Sequence, residues 1–536
     1  MKRNLLGISL LTIAGLYFLL AAVIILITLL TGINVLYGIV ASIIILIIQF
    51  LISPFITDLT MKWFYKVDFN YEFPDYLKKF VEQVCNDNNM KYPRLGFIDD
   101  GAPNAFTYGH TKNDARVILT RGIFELLTEE EVKSVVGHEL GHATHYDMLF
   151  MTVAQLVPLV LYGIYEVCVQ NNSNSDNDNN GNTVLIGYIA YILYIISNYI
   201  VLYLSRTREY YADSFSIEVT KNPNALANAL VKIGYGLTTA VTNEKHSVSK
   251  PNALGIFDSK TSKSLIVSSY EDGKISKDHI KQAMKWEQWN YWAKLYELNS
   301  THPLISKRLL EISKRSEEFK QDPFITFDLV KEESYMDDFL LELLINFLPM
   351  LTFIIGALVV TFIFKNTEKN LVIGYSVVLL LTTLFSYIKF NKVYSRKEFK
   401  TSNVRELLGE VKVSHITSIP VTLKGTIIGR GNPGCIFNED FVIKDDTGII
   451  FLDYNQPMTI INKIFAIFKS KEYFDKEVQI NGWYRRSPVP YVELQSMEVD
   501  GKKKKIFTYS LKKACYLIVL IAALVGLFIG FTLWFY

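Results

Sequence analysis

Apolar runs about as long as a bilayer's hydrocarbon core is thick divide this chain into blocks. They fall at about 5–30, 35–56, 149–169, 184–204, 339–364, 371–388 and 515–535. They read as continuous blocks rather than periodic stripes, so each predicts a membrane-spanning helix instead of a half-buried soluble one. The first run is too long for a signal peptide and lacks a small-residue cleavage site. It turns straight into the second through Thr31-Gly32-Ile33-Asn34, which predicts an anchor. The 371–388 run is the most dilute, interrupted by Ser376, Thr382, Thr383 and Ser386.

The segments between the runs carry other patterns. Pro74 to Asn86 predicts a helix, and Leu95–Ile98, Asn104–Tyr108 and Arg116–Leu119 predict short strands, an α+β arrangement. Thr128 with Glu131 three residues on is a capping box, and Val132, Val135 and Val136 continue the helix it opens. Residues 214–337 read as polar and helical. Trp286, Trp289, Tyr291, Trp292 and Tyr296 there suit a helical core better than a pocket.

Residues 402–500 alternate as five strands: Thr422–Ile428, Phe441–Lys444, Ile449–Tyr454, Glu477–Trp483 and Tyr491–Met497. Turns are marked by Gly431-Asn432-Pro433-Gly434 and Asp445-Asp446-Thr447-Gly448, and a helical segment at 459–468 separates the third strand from the fourth. That order is OB-like. Trp483, Tyr484, Arg485 and Arg486 are the residue types of a nucleic-acid groove. Tethering between the sixth and seventh spans favours a docking or regulatory module instead. The helical insert is more apolar than a solvated helix. Either it buries Ile and Phe in a lipid interface with Lys463 and Lys469 near head groups, or it plugs the barrel.

Charge adds orientation. Of 536 residues half are hydrophobic and the net charge is only +2, so no overall basicity argues for nucleic acid. Lys2 and Arg3 precede the first span and predict a cytoplasmic N-terminus. The loop 170–183, free of lysine and arginine, then lies outside, while Lys389, Lys392, Arg396, Lys397 and the run Lys502–Lys505 lie inside. Only Lys365 and Lys369 fall on the wrong side. The Lys502–Lys505 run reads as a topology and anionic-lipid signal. The four cysteines, Cys85, Cys168, Cys435 and Cys515, show neither metal-ligand nor disulfide spacing.

The candidate chemistry lies in His138-Glu139-Leu140-Gly141-His142. Residues four apart share one face of a helix, so His138 and His142 can offer two imidazoles to one zinc, with Glu139 as general base. A third protein ligand is needed. Glu209, in Ser205-Arg206-Thr207-Arg208-Glu209-Tyr210-Tyr211-Ala212-Asp213, is the candidate, and Asp213 one turn on can accept the free ring N–H of a ligand histidine. His145 is the rival, but seven residues of rise put it about 10.5 Å from His138, too far for both rings to meet one ion. Arg206 and Arg208 either hold Glu209 in place or snorkel at the membrane face.

With these pieces, the chain resembles the HtpX-type and CAAX-prenyl-protease-type membrane zinc metallopeptidases. The matching segments are Asn104-Ala105-Phe106-Thr107-Tyr108-Gly109, His138 to His142, Ser205 to Asp213, Pro223-Asn224-Ala225-Leu226-Ala227 and Thr301-His302-Pro303-Leu304, in the family's order. The resemblance covers roughly residues 60–315 and departs at Leu304, where the family often has a second proline. It implies His138, His142 and Glu209 as ligands of one Zn2+ and Glu139 as catalytic base. It also implies His302 as stabiliser of the tetrahedral intermediate, and a substrate-binding strand at Asn104, Ala105 and Phe106.

The expected architecture is a multi-pass α-helical membrane protein with a cytoplasmic α+β zincin-like metallopeptidase domain and a C-terminal OB-like β-barrel. Its segments are a two-span anchor hairpin (1–56), the peptidase domain with two spans (57–337), a transmembrane hairpin (338–390), the β-domain (391–510) and a last span (511–536). The expected activity is cleavage of membrane-associated or misfolded polypeptides at the cytoplasmic face, with the bilayer and polypeptides as partners and no nucleic acid. Two alternatives are a silent scaffold recruiting through the β-domain and a CAAX-type processing protease. An intramembrane site-two-type protease would embed His138–His142 in an apolar span, and the charged Thr128–Lys133 argues against that.

Overall fold

The computed structural model describes residues 2–31, 36–100, 103–170, 180–239, 270–271, 274–275, 277–326, 333–364, 368–430, 439–487 and 489–535. The loop at 171–179 and the turn Gly431–Gly434 with Cys435 lie outside the described residues. The described residues form two compact units, one drawn from residues 2–239 and 295–326, the other from 270–294 and 333–535. This differs from the boundary read at residue 337. The helix Lys277–Trp289 packs in the second unit, where the Trp286 indole donates to Val413 O (2.7 Å) and the Trp292 indole to Glu342 Oε2 (2.5 Å). A buried indole needs an acceptor, and the second unit supplies both.

Among the described residues six helices are long and apolar enough to cross a membrane: Leu5–Ile25, Asp147–Val169, Thr183–Thr220, Met336–Ile363, Asn370–Val393 and Thr508–Thr532. The apolar run at 35–56 falls in a continuous helix, Leu36–Phe64, some of whose side chains lie outside the described residues. Side chains such as Phe362, 88 % exposed, stand out from these helices as lipid-facing residues do.

In the first unit α1 (Lys2–Thr31) is followed by α2 (Leu36–Phe64) and a three-stranded sheet of β1 (Arg94–Ile98), β2 (Ala105–Gly109) and β3 (Ala115–Thr120). Next come α3 (Glu129–Thr144), α4 (Asp147–Gln170), α5 (Asn180–Thr220) and, after others, α6 (Ile305–Ser316). The sheet order is β1-β3-β2, with β3 parallel to β1 and antiparallel to β2, so β2 is an edge. Asp58 on α2 ties the sheet down, accepting from Tyr108 Oη (2.7 Å) and pairing with Arg94 and Arg116 (3.1 Å each). Leu16, Leu20 and Val23 of α1 pack with Ala154, Val157 and Leu161 of α4 and Ala190, Val201 and Leu204 of α5. The fourth apolar run and the Ser205–Asp213 motif are one uninterrupted helix. At 1.5 Å per residue, the 41 residues of α5 extend about 60 Å, twice the hydrocarbon thickness.

The second unit holds α7 (Met336–Ile363), α8 (Glu368–Val393) and a closed five-stranded barrel, and its last element is α10 (Thr508–Phe535). The barrel strands are β4 (Ile419–Arg430), β5 (Phe441–Asp445), β6 (Gly448–Asp453), β7 (Glu477–Ser487) and β8 (Val489–Val499), with α9 (Thr459–Phe468) between β6 and β7. Neighbours run β4-β5-β6-β8-β7 and β7 pairs back onto β4; all contacts are antiparallel except β6 with β8. Trp483, Tyr484, Arg485 and Arg486 are all buried, so they form no exposed groove. Arg485 pairs with Glu493, and Arg486 lies over the Trp286 ring (4.6 Å) and donates to Ala283 O (2.9 Å). The Lys502–Lys505 run is a short strand paired with Ser496–Val499, and Lys504 caps the Phe465 ring at 3.6 Å.

Candidate metal centre

The motif helix α3 begins where its sequence says. Glu131 Oε2 accepts from Thr128 N (2.8 Å) and from Lys232 Nζ (2.7 Å), satisfying the helix start. It then lies close against α5. A Cβ on Gly141 would sit 3.1 Å from Ala212 Cα and 3.2 Å from Phe215 Cβ, and one on Gly137 3.2 Å from Val219. Two glycines four apart therefore keep one face of α3 bare for α5, and Ser216 Oγ donates to Ser134 O (2.6 Å) across the contact. This close approach brings Glu209 to the histidines.

The Nε2 atoms of His138 and His142 stand 3.1 Å apart. Glu209 Oε2 is 3.6 Å from the first and Glu209 Oε1 3.5 Å from the second. One donor atom from each of the three residues can be chosen so that all lie within 4.8 Å of one another. The far nitrogen of each ring faces a carboxylate: His138 Nδ1 lies 2.9 Å from Asp213 Oδ1, and His142 Nδ1 donates to Asp147 Oδ2 (2.6 Å). That arrangement turns both Nε2 lone pairs inward toward the same point.

These residues fit a zinc ion. Two nitrogens each about 2.05 Å from a tetrahedral ion would stand roughly 3.3 Å apart, close to the observed spacing. Glu209 is buried and its Oε2 lacks a hydrogen-bond partner, so that oxygen keeps lone pairs to offer an ion. Burial alone would depress His138, yet Asp213 and Glu209 hold its pKa up at about 9.

Around this cluster the structure brings together more than the sequence suggested. His302 Nε2 reaches to 3.5 Å from Glu209 Oε1, and its Nδ1 is 2.9 Å from Thr301 Oγ1. Burial pushes the His302 imidazole below its ordinary range against the pull of Glu209. The segment carrying it is strapped to α5 by Arg206, whose Nη1 donates to the carbonyls of Glu297 (2.7 Å) and Ser300 (2.8 Å), and by Ser205 Oγ to Thr301 O (3.0 Å). Arg208 pairs with Asp147, and also donates to Ser9 Oγ (2.6 Å) and His145 O (2.6 Å). The suggestion that Arg206 and Arg208 hold Glu209 is thus corrected. Helical spacing turns Arg206 to the His302 segment and Arg208 to α1 and Asp147. Arg308 faces Glu209 instead: its Nη1 is 3.5 Å from Glu209 Oε2, while Nε and Nη2 grip Asp213 at 2.8 and 2.6 Å.

His145 caps α3 and sits edge-on to Tyr211 (6.3 Å) and Phe215 (5.7 Å), outside the three-residue cluster. Glu139 is buried beside His138, and its carbonyl accepts from Thr107 Oγ1 (3.2 Å) of β2, so the edge strand runs against the motif helix. Asn104 precedes β2 by one residue rather than lying in it, because its N–H and carbonyl bond to Thr120 at 2.8 and 3.1 Å. Phe106 packs with Met61, Val67, Tyr108 and Ile118, and Ala105 is buried, so what this strand offers a ligand is backbone.

Comparisons with known proteins place this geometry in context. Residues 74–316 match Peptidase family M48. The chain is 40 % identical to a Protease HtpX homolog of Methanothermobacter thermautotrophicus over 189 residues, 35 % of this chain and 69 % of that protein. It is 29 % identical to a Protease HtpX homolog of Aeropyrum pernix over 286 residues, 52 % of this chain and 85 % of that protein. Among solved structures, the crystal structure of S. mikatae Ste24p aligns with a TM-score of 0.33 at 17 % identity, covering 56 % of this chain and 63 % of that one.

Proposed function

The chain belongs to peptidase family M48, and we propose that it is an integral-membrane zinc endopeptidase cleaving membrane-associated or misfolded polypeptides on the cytoplasmic side. The six membrane-length apolar helices among the described residues and the HtpX relatives support a membrane metalloprotease. One observation carries the reading: two imidazole nitrogens and the Glu209 carboxylate converge beside Glu139.

His138, His142 and Glu209 hold the zinc, which when bound supplies Lewis-acid polarisation of the peptide carbonyl and lowers the pKa of water. Glu139 accepts the proton of the attacking water and passes it to the leaving amine. His302 Nε2 donates to the oxygen that gains charge at the scissile carbon. Asp213 and Asp147 fix the orientation and tautomer of the two ligand rings. A peptide added along the free edge of β2 gains main-chain hydrogen bonds and is held against α3; of Asn104, Ala105 and Phe106, Ala105 contributes backbone there, since the Asn104 N–H and carbonyl are taken by Thr120. The barrel is read as OB-like, supported by its strand order and by the helix between its third and fourth strands.

The deciding experiment is metal removal. Purified full-length protein in detergent should cleave a casein-type substrate, lose that activity on treatment with a zinc chelator, and regain it on addition of zinc. Activity that survives complete loss of metal sinks the proposal.

Orientation is tested separately. With seven spans and a cytoplasmic N-terminus, the expected topology puts the loop 170–183 outside and both motifs inside. In a chain whose native cysteines are replaced, Asn177→Cys should react with an impermeant thiol reagent on intact cells. Labelling only after lysis would invert the topology.

A further inference from the structure

The helix α9 is built the wrong way round for a soluble barrel. Its buried face is Asn462, Phe465 and Ala466. Phe465 stacks on Tyr454 (4.2 Å) and meets Phe441 edge-on (5.9 Å), so it does plug the barrel. The opposite face is apolar and open: Ile460, Ile461, Ile464 and Phe468 are exposed, Phe468 by 73 %, and Met458 just before them is exposed as well. On a helix these four residues span about 100°, a continuous stripe turned away from the barrel. The helix therefore points its asparagine at protein and its isoleucines outward.

A polar clamp fixes where this stripe sits. Asn462 Oδ1 accepts from Gln456 N (2.9 Å), and its Nδ2 donates to Gln456 O (3.1 Å). Gln456 Oε1 in turn accepts from Phe507 N (3.1 Å), its Nε2 donates to Lys505 O (3.2 Å), and Thr508 Oγ1 donates to Asn455 O. Phe507 and Thr508 are where α10, an apolar helix long enough to cross a membrane, begins. The uninterrupted apolar stretch of α10 starts at Ala514, after Lys512 and Lys513. Thr508 precedes Ala514 by six residues, about 9 Å of helical rise. The headgroup layer is roughly 5–8 Å thick on each side. The clamp therefore holds α9 at headgroup level, where an amphipathic helix sinks about 5–10 Å into the interface.

From this geometry we infer that α9 is an interfacial anchor: its Ile460, Ile461, Ile464 and Phe468 face lies in the bilayer surface and seats the barrel there. Lys463 and Lys469 flank the stripe, and Lys502, Lys503 and Lys505 are exposed beside the same junction, so the favoured surface is one rich in anionic head groups. The inference does not depend on the peptidase reading, because it rests only on the second unit.

The test uses the full-length chain with Cys85, Cys168, Cys435 and Cys515 replaced by serine and a single cysteine at Ile464→Cys or, as control, Lys424→Cys on β4. Each is labelled with a small environment-sensitive fluorophore and reconstituted into vesicles of phosphatidylcholine and phosphatidylglycerol. The label at position 464 should lose most of its emission to phosphatidylcholine brominated in its acyl chains and resist aqueous iodide. The label at position 424 should behave oppositely. Adding Ile461→Glu and Phe468→Glu, which leave Asn462, Phe465 and Ala466 in place, should abolish quenching by bromine at position 464 and admit iodide. Iodide access at 464 equal to that at 424 overturns the inference. Protection from both quenchers also overturns it, since protein would then cover the face, and energy transfer between labelled chains would identify a second copy. The first comparison needs no charged variant, so it stands even if the double substitution unfolds the barrel.

Discussion

Glu139→Gln should retain its zinc and lose proteolysis, with turnover falling by a factor of about 10²–10⁴, the usual cost of removing a general base. The reason is positional. Glu139 follows His138 on α3, but the cluster that can hold a metal consists of His138, His142 and Glu209 without it. Glutamine keeps the size and buried position of the side chain while removing the proton acceptor. Metal analysis and a turnover assay on the same preparation separate the two effects. A variant with full activity would remove Glu139 from the mechanism, and one lacking zinc would make it a ligand or a structural support.

The outline of this chain is readable because membranes and metals both impose spacing. A helix in lipid must satisfy its backbone internally, so length and apolarity alone mark it. The runs near 149–169 and 184–204 fall within Asp147–Gln170 and Asn180–Thr220. What composition could not reveal is that the second of these continues without a break through Glu209 and Asp213. The hydropathy falls at Ser205, but the helix does not end there, because backbone hydrogen bonding is indifferent to which solvent surrounds it. The barrel strands were located by alternation, yet Trp483, Tyr484, Arg485 and Arg486 look exposed in sequence and are buried in the fold. Alternation fails there because a cation can occupy the interior when a carboxylate or a ring meets it, as Glu493 and Trp286 do.

The site divides in the same way. His138, His142 and Glu209 carry their chemistry in residue type and helical spacing. Asp147 does not: five residues after His142 and past a turn, it falls outside any helical face rule, although a carboxylate just beyond a ligand histidine is a usable sign. Arg308 gave no sign at all. It is one of several basic residues on an amphipathic helix, and only tertiary packing aims it at Asp213 and Glu209. The place of Lys277–Trp289 was equally hidden, since nothing local says which unit will supply an acceptor for the Trp286 indole.

Glu209→Ala should empty the metal site, whereas His145→Ala should leave it full. In the first variant two imidazoles remain, one anion short of the donor set a catalytic zinc requires. The loss also leaves Arg308 facing the cavity without Glu209 as a partner, although Asp213 still grips it at 2.6 and 2.8 Å. In the second variant a ring edge-on to Tyr211 and Phe215 is removed, so the cost is packing, about 0.5–1.5 kcal/mol for such pairs beyond the area lost. Asp213→Asn and Asp147→Asn fall between these extremes. Each keeps the ligand ring but weakens the group that orients it, and zinc affinity should drop by about 10–100-fold. Zinc titration against a competing chelator ranks the four variants on one scale. If His145→Ala empties the site while Glu209→Ala holds zinc at full occupancy, the third ligand is His145, and the convergence of Glu209 on the two Nε2 atoms has another cause.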